Sequence, residues 1–575
     1  MISSPLAFEK ACYFGGIMLI MITKRLQMSI GFDGLRGGRL LVLLFVLLPF
    51  VSAYAVEVSG DCWGFWTADN NPYNVVGDIR VPRESTLVIG AGCYINFTGR
   101  YRFIIDSSAT LLALGGESDS IYFLPQDTVR GWGGLRFINA DTSYLSYCVL
   151  RWGKASGHNN APYNMGGAIF LANSCLRIEN SNLSNNQAFE GEGGAIYSRG
   201  LTLSVHDCVM RDNYCGFGGA AIHCWRTRVV IENSEFMRDS TFSPLGFGNG
   251  GAITIYDCSS ATIVGNTIKG NFGVLGGGIL VTVHSNAFQV TLVSNVISYN
   301  RALFSGGGVA LLGSTANLCG NLIYSNSAGS SSSSGEGGGI FCAGSYLTMV
   351  NNTVTNNQVT PRGEGGGVYC EMGRSELRNN IIWNNVAGYI GNQIYQCLDT
   401  TVFIGYNDIQ DTVWPGEGNI SLDPLFADTA AGNYNLTWVN YPIEDSSKSP
   451  CIDTGDPSCP PDSDGTRADM GALFFDRRRL GIVDEPMPVD YLLLGSYPNP
   501  FNEVVTIRYR NLRAGPVRLV VYNLAGQEVA ALVDGFRPVG EARVVWEAYG
   551  FPSGIYFVCL TTLSGSRTAR MVMVK

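Results

Sequence analysis

The chain has 575 residues, too many for one compact core, and it combines 72 glycines with only 15% charged residues. This composition favours glycine-turned β-structure and argues against disorder. The formal net charge of −9 is spread without an acidic or basic run, so nucleic acid is not expected as a partner.

Residues 1–55 are predicted to carry a secretory signal peptide. A basic flank precedes the apolar run 40–51, and Ala53 and Ala55 supply the small residues that precede a cleavage site. The run is short for a bilayer span, so membrane contact is expected only during export. Met28 is the more natural start of this signal. In the alternative interpretation, an apolar stretch further upstream anchors the chain in a membrane.

Residues 56–472 are predicted to form a solenoid, whose first coils reach to about residue 140. Short apolar segments separated by glycine turns, such as Leu87–Ile89 and Tyr94–Phe97, are typical of strands. The Gly-Trp-Gly-Gly phrase at 131–134 resembles the first coils of secreted bacterial right-handed parallel β-helix proteins, which have the pectin-lyase-like fold.

Regular repeats occupy residues 166–385. The phrase Gly-Gly-(Ala/Gly)-(Ile/Val) returns eight times at intervals of 26 to 31 residues. Its apolar member lies at Ile169, Ile196, Ile222, Ile253, Ile279, Val309, Ile340 and Val368. Such a coil holds two or three short strands and shows no helical stripe. The period therefore predicts an all-β, right-handed parallel β-helix, with the glycines at turns between sheets.

A second phrase runs in register with the first: a small polar residue, any residue, an apolar residue, two of any kind, then Asn or Asp. It ends at Asn186, Asn213, Asp239, Asn271, Asn300, Asn326, Asn357 and Asn385. One amide at a fixed place in each coil can hydrogen-bond to the amides above and below it. We expect an interior ladder formed by Asn271, Asn300, Asn326, Asn357 and Asn385.

The cysteines divide into two groups. Cys224, Cys342 and Cys370 each lie two residues after the apolar member of the repeat, which predicts an inward core position. A bridge between Cys342 and Cys370 on successive coils is also compatible with strand spacing. Cys451 and Cys459 lie in a Pro/Gly-rich loop and are the better candidates for a disulfide.

The solenoid is expected to close near residue 472. Asp462, Asp464 and Asp469 surround a glycine in a phrase that resembles the closing phrase of many secreted β-helix proteins. Spaced carboxylates of this kind could form a calcium site, and they could equally be turn residues. No other cofactor is predicted.

A linker is predicted over 473–490, and a separate domain over 491–575. Six or seven strands in about 85 residues indicate a small immunoglobulin-like β-sandwich. Near its start this domain contains the phrase Tyr497, Pro498, Asn499, Pro500, Phe501 and Asn502. Together with 521–526, 552–556 and the closing 571–575, it resembles the type A C-terminal sorting domain of type IX secretion cargo. The resemblance implies Sec export, contact with the type IX machinery, and delivery to the outer surface or exterior of a bacterium with an outer membrane.

Groups with acid–base chemistry are scattered along the repeats, and no catalytic residue is assigned. The basic candidates are Lys154, His158, His206, His223, Arg226, Lys269 and His284. The aromatics expected to face outward are Tyr197, Trp225, Tyr256, Tyr369 and Trp383. A lyase needs a base beside a charge-neutralising group, and a hydrolase needs paired carboxylates.

The sequence favours a non-enzymatic binding or adhesion protein on the cell surface or outside the cell, with glycans or surface polysaccharide as the expected ligands. The first alternative is a carbohydrate-active β-helix enzyme, either a polysaccharide lyase or a glycoside hydrolase. The second is a structural component of a surface layer.

Overall fold

The computed structural model describes residues 55–156, 163–242, 250–283, 289–331, 333–397, 400–477, 491–499, 501–511, 514–523, 527–562 and 565–573. Within these ranges the chain is all-β, with parallel strands up to residue 409 and antiparallel strands after it. A short 3-10 helix, Ala68–Asn70, interrupts the first coils. No helix in the same ranges is long and apolar enough to cross a membrane. The predicted signal peptide lies outside them, apart from Ala55.

Each regular coil contributes up to four short strands, and each strand pairs in parallel with its equivalents one coil away. We name the four resulting stacks ladders A to D. Val56–Asp61 and Tyr73–Val81 are longer strands that begin both ladder A and ladder C.

Ladder A carries the Gly-Gly phrases and comprises Phe103–Ile105, Leu135–Ile138, Ile169–Ala172, Ile196–Arg199, Ile222–Trp225, Ile253–Tyr256, Ile279–Thr282, Val309–Leu312, Ile340–Ala343, Val368–Glu371 and Ile394–Gln396. Ladder B comprises Gly64–Trp66, Thr86–Gly90, Thr110–Leu114, Ser143–Ser146, Cys175–Glu179, Thr202–His206, Arg228–Glu232, Ser260–Val264, Gln289–Val293, Thr315–Cys319, Tyr346–Val350, Arg374–Arg378 and Thr401–Gly405.

Ladder C comprises Tyr94–Phe97, Ile121–Pro125, Cys148–Arg151, Asn182–Ser184, Val209–Arg211, Glu235–Met237, Thr267–Lys269, Val296–Ser298, Leu322–Tyr324, Thr353–Thr355, Ile381–Trp383 and Asp408–Ile409. Ladder D is formed by the two-residue strands Lys154–Ala155, Gln187–Ala188, Tyr214–Cys215, Ser240–Thr241, Phe272–Gly273, Arg301–Ala302, Ser327–Ala328 and Gln358–Val359.

The core runs the length of the solenoid because alternate residues of every strand point inward. In ladder A, Ile196, Ile222 and Ile253 are in register on three successive coils, and all three are buried. The predicted inward position two residues further on is also confirmed, because Cys224, Cys342 and Cys370 lie in the same core. The predicted disulfide between Cys451 and Cys459 is wrong: both thiols are free.

The reason for the error is the path of the segment between residues 426 and 476. This segment contains the hairpin strands Phe426–Asp428 and Asn433–Leu436 and packs against the outside of ladder C. The side chain of Cys451 packs in an apolar cluster with Ile381 and Trp438, where its Sγ lies 3.2 Å from Asp408 Oδ2. Cys459 is only half-buried and does not join that cluster.

The C-terminal residues form two antiparallel sheets. One contains Tyr491–Tyr497, Val504–Asn511 and Gly540–Glu547; the other contains Gly515–Asn523, Glu528–Arg537, Gly554–Thr562 and Gly565–Met573. Their inner faces share one core, to which Ile507 and Trp546 contribute from the first sheet and Leu519 and Val558 from the second. This arrangement is the small β-sandwich expected from the spacing of its strands.

Candidate ligand-binding face

The outward face of ladder A carries two side chains per strand. In Ile222–Trp225, Ile222 and Cys224 point into the core, whereas His223 and Trp225 point outward. Parallel register aligns these positions from coil to coil, so the face consists of an inner row containing His223 and an outer row containing Trp225. On the preceding coil the same rows hold Tyr197 and Arg199.

The inner row is closed from solvent. The rings of Phe170, Tyr197 and His223 stack on successive coils, with centroids 5.6 and 5.3 Å apart. Tyr197 is only 2% exposed and His223 only 5%. The expectation that Tyr197 and Tyr369 are accessible aromatics is therefore wrong, because both are outward but buried.

The Gly-Gly turn contributes to this closure. Gly193 has φ +68° and lies directly against the strand that follows it, so that a Cβ there would stand 2.4 Å from the carbonyl oxygen of Ile196. Only glycine fits such a close backbone approach with a positive φ. The chain therefore folds tightly over the first residues of the strand, next to the inner row.

A histidine and a carboxylate meet at the inner row, since His223 Nε2 lies 3.5 Å from Glu192 Oε2. Burial lowers the pKa of His223 in spite of the neighbouring Glu192, so the imidazole is neutral at pH 7. Its Nδ1 is buried and has no partner. Burial also raises the pKa of Tyr197, with Glu192 adding to the effect. The cluster contains acid–base groups, but a polymer cannot reach them in this conformation.

The outer row is open and positively charged where it passes Trp225. The guanidinium carbons of Arg199 and Arg226 lie 4.4 and 5.4 Å from the indole centroid. Both arginines are exposed, and within the described residues neither forms an ion pair. A guanidinium stacked on an aromatic ring keeps its in-plane N–H groups free to bind a carboxylate or sulfate. Tyr256 extends the row by one coil.

The remaining basic candidates do not converge. Lys154 Nζ donates to the carbonyl oxygen of Val129 at 2.8 Å. His206 Nδ1 lies 3.1 Å from Glu232 Oε2 on ladder B, and Lys269 lies over the ring of Tyr299 at 5.3 Å. His158 and His284 lie outside the described residues. Trp383 packs against the segment that flanks ladder C.

Asparagines form two continuous hydrogen-bonded ladders inside the solenoid. In the first, Asn300 Nδ2 donates to Asn326 Oδ1 at 3.0 Å, and the same bond recurs from Asn271 to Asn300, from Asn326 to Asn357 and from Asn357 to Asn385. A second ladder, absent from the sequence prediction, joins Asn266, Asn295, Asn321, Asn352, Asn380 and Asn407. The sequence does contain a signal for this second ladder, because five copies of the second phrase begin with Asn.

The three closing aspartates serve as turn acceptors. Asp462 Oδ2 accepts the backbone N–H of Asp469 at 2.8 Å, and Asp464 Oδ1 accepts that of Thr466 at 3.1 Å. Asp469 accepts the N–H of Phe475 at 2.7 Å, and burial raises its pKa to about 7. Among the described residues no group of three or more His, Cys, Asp or Glu side chains is arranged to hold a metal. Calcium binding here stays a prediction.

The C-terminal motif is fixed to the last strand. Asn499 Nδ2 donates to the carbonyl oxygen of Arg570 at 3.0 Å, and its Oδ1 accepts the N–H of Val572 at 2.7 Å. Phe501 is buried in the sandwich core, whereas Tyr497 is exposed. Pro500 lies outside the described residues.

Two family descriptions match the chain. Residues 128–297 match the right-handed beta helix region, and residues 496–575 match the secretion system C-terminal sorting domain. The chain is an exported β-helix protein. Its sorting domain directs it to the surface of a bacterium or to the extracellular space.

The similarity of this chain to individual known proteins is low. No curated protein matches the β-helix protein. Among solved structures, the periplasmic alginate epimerase AlgG is 13% identical, covers 59% of this chain and 82% of its own, and gives a TM-score of 0.36.

Proposed function

We propose that the β-helix protein is a non-enzymatic binding protein for acidic polysaccharide, acting on the cell surface or outside the cell. The observation that supports it is the exposed outer row of ladder A, where Arg199 and Arg226 flank Trp225. Guanidinium groups bind carboxylates through paired N–H donors, and an indole offers apolar area to sugar rings. The chain as a whole is acidic, with a formal net charge of −9. Attraction of an anionic ligand therefore comes from this local basic surface and not from the net charge of the protein.

The test is binding of the full chain to polygalacturonate or alginate, with a neutral glucan for comparison. We expect binding to the acidic polymers only, weakening as salt screens the charges. Arg199→Gln and Arg226→Gln should each weaken it about tenfold, the equivalent of about 1.4 kcal/mol. Arg228→Gln is the matched control, because Arg228 is also exposed but lies on ladder B. Equal loss in all three variants would contradict the proposal.

The enzymatic alternative is supported by the Tyr197–His223–Glu192 cluster beside the outer row. It requires the Gly-Gly turn to open and admit a sugar. Release of unsaturated products or reducing ends from the same polymers, abolished by His223→Gln with an unchanged melting temperature, would replace the binding proposal by this one.

A further inference from the structure

An apolar column faces outward from the first coils of ladder B. Val88, Leu112 and Tyr144 are in register on successive strands, and they alternate with core residues such as Leu87, Leu111 and Leu145. The outward side of such a sheet is normally polar. On the next two coils the same column carries Arg177 and Ser204.

The sorting domain has a matching apolar face. In its strands Gly554–Thr562 and Gly565–Met573, Tyr556, Val558 and Met571 point into the sandwich core. The alternate residues Ile555, Phe557 and Val572 point away from that core, and they too are buried. A sandwich standing alone would expose all three to water.

The two apolar faces cover each other. Leu112 and Tyr144 form one cluster with Ile555, Phe557 and Val572, and Val88 packs at its edge. The ring of Phe557 meets that of Tyr144 edge-on at 5.9 Å, and the guanidinium of Arg177 lies 4.5 Å from the Phe557 centroid.

Polar contacts fix the orientation of this pair. Arg570 Nη1 donates to Ser146 Oγ at 2.6 Å, and its guanidinium lies 5.7 Å from the Tyr144 centroid. The Tyr144 hydroxyl donates to the carboxylate of Glu179. Burial raises the pKa of Glu179 to about 7, although Arg570 opposes the shift. A cleft of about 730 Å³ continues beside the contact between Val88, Leu112 and Val572, so the packing is incomplete along one edge.

We propose that the column of Val88, Leu112 and Tyr144 is a docking surface for the chain's own sorting domain, which binds through Ile555, Phe557 and Val572. The occupant is identified by its complementary apolar face and by the hydrogen bond from Arg570 to Ser146. Docking hides the outward side of the last strand against the solenoid. Cutting the linker alone therefore does not free the sorting domain, and once the domain leaves, the apolar column is exposed on the passenger.

The test introduces a site for a specific protease between Val483 and Asp484 of the full chain and cuts it after purification. We expect the two fragments to co-elute in gel filtration at micromolar concentration. Phe557→Ala and the outward substitution Leu112→Glu should each raise the dissociation constant at least about tenfold, as expected for central apolar contacts. Phe536→Ala is the matched control, since Phe536 belongs to the same sandwich but is exposed.

Circular dichroism of each uncut variant shows whether it is folded, and Leu112→Glu and Phe557→Ala test the two faces independently. Fragments of the wild-type sequence that separate at every concentration would overturn the proposal. So would retention of both fragments by folded Leu112→Glu and Phe557→Ala variants with the affinity of the wild type.

Discussion

The asparagine ladder contains one residue that cannot behave as its neighbours do. Each Asn accepts two N–H groups from the previous coil at Oδ1 and donates through Nδ2. Asp239 keeps the acceptor half, because its Oδ1 accepts the N–H and Nδ2 of Asn213 at 2.9 Å. Its Oδ2 stands where the other members place Nδ2 and has no partner. A proton on Oδ2 restores the missing donor.

The pKa values give the direction of the resulting pH dependence. Burial raises the pKa of Asp239 from 3.8 to about 7, against the hydrogen bonds from Asn213. Asp212 adds to the shift and Arg238 opposes it, and these two form an exposed ion pair at 2.8 Å. Between about pH 3.8 and pH 7, Asp239 keeps its proton in the folded chain and has lost it in the unfolded chain. Stability therefore falls as pH rises.

The prediction is that Asp239→Asn stabilises the solenoid and removes part of its pH dependence. Wild-type stability should fall by up to about 1.4 kcal/mol per pH unit through this window. The variant should lack that component and gain most at pH 8, as measured by denaturant unfolding at pH 5 and pH 8. Asp141→Asn is the control, because Asp141 is exposed and does not contribute to the pKa shift of Asp239. An equal gain in stability at pH 5 and pH 8 would show that Asp239 is ionised at both pH values in the folded wild type.

At the scale of the element, alternation and period were enough to place the strands. The predicted strand Tyr94–Phe97 has the same bounds in the structure, because period-two patterning and turn glycines act locally. The burial of Tyr197 could not be predicted from the alternation of apolar residues. It depends on how the Gly-Gly turn folds back over the strand. The path of residues 426–476 along ladder C was equally hidden, because it is fixed by side contacts such as Asn356 Nδ2 with the Tyr434 hydroxyl at 2.8 Å.

For the ladder as an element, we predict that Asn326→Ala destabilises the solenoid by roughly 1–3 kcal/mol, the usual cost of leaving buried polar groups unpaired. The substitution removes the acceptor for Asn300 and the donor to Asn357 and to the Ile297 carbonyl. Polysaccharide binding by the folded fraction should stay normal, because Asn326 is interior. A variant as stable as the wild type in urea, with both neighbours intact, would contradict a cooperative ladder.

At the scale of the whole molecule, the sequence separates two folded parts but does not show that they touch. The sorting motif and the strand count are local signals. The apolar column at Val88, Leu112 and Tyr144 was also present in the sequence, yet which surface covers it depends on three-dimensional complementarity with Phe557. Contacts between distant segments produce no periodic pattern in the sequence. The binding face and the docking surface are therefore recognisable only in the structure.

The address role of the sorting domain can be separated from its docking role. Deleting Tyr491–Lys575 removes the region that matches the secretion system C-terminal sorting domain. In a host with type IX machinery, we expect the truncated solenoid to fold but to remain in the periplasm. Phe557→Ala keeps the domain and its motif at Asn499 and loosens the docking contact with the solenoid, which includes Tyr144 and Arg177. We expect this variant to be exported normally. Fractionation followed by immunodetection measures both. Appearance of the truncated chain outside the cell at the wild-type level would show that the address lies elsewhere in the chain.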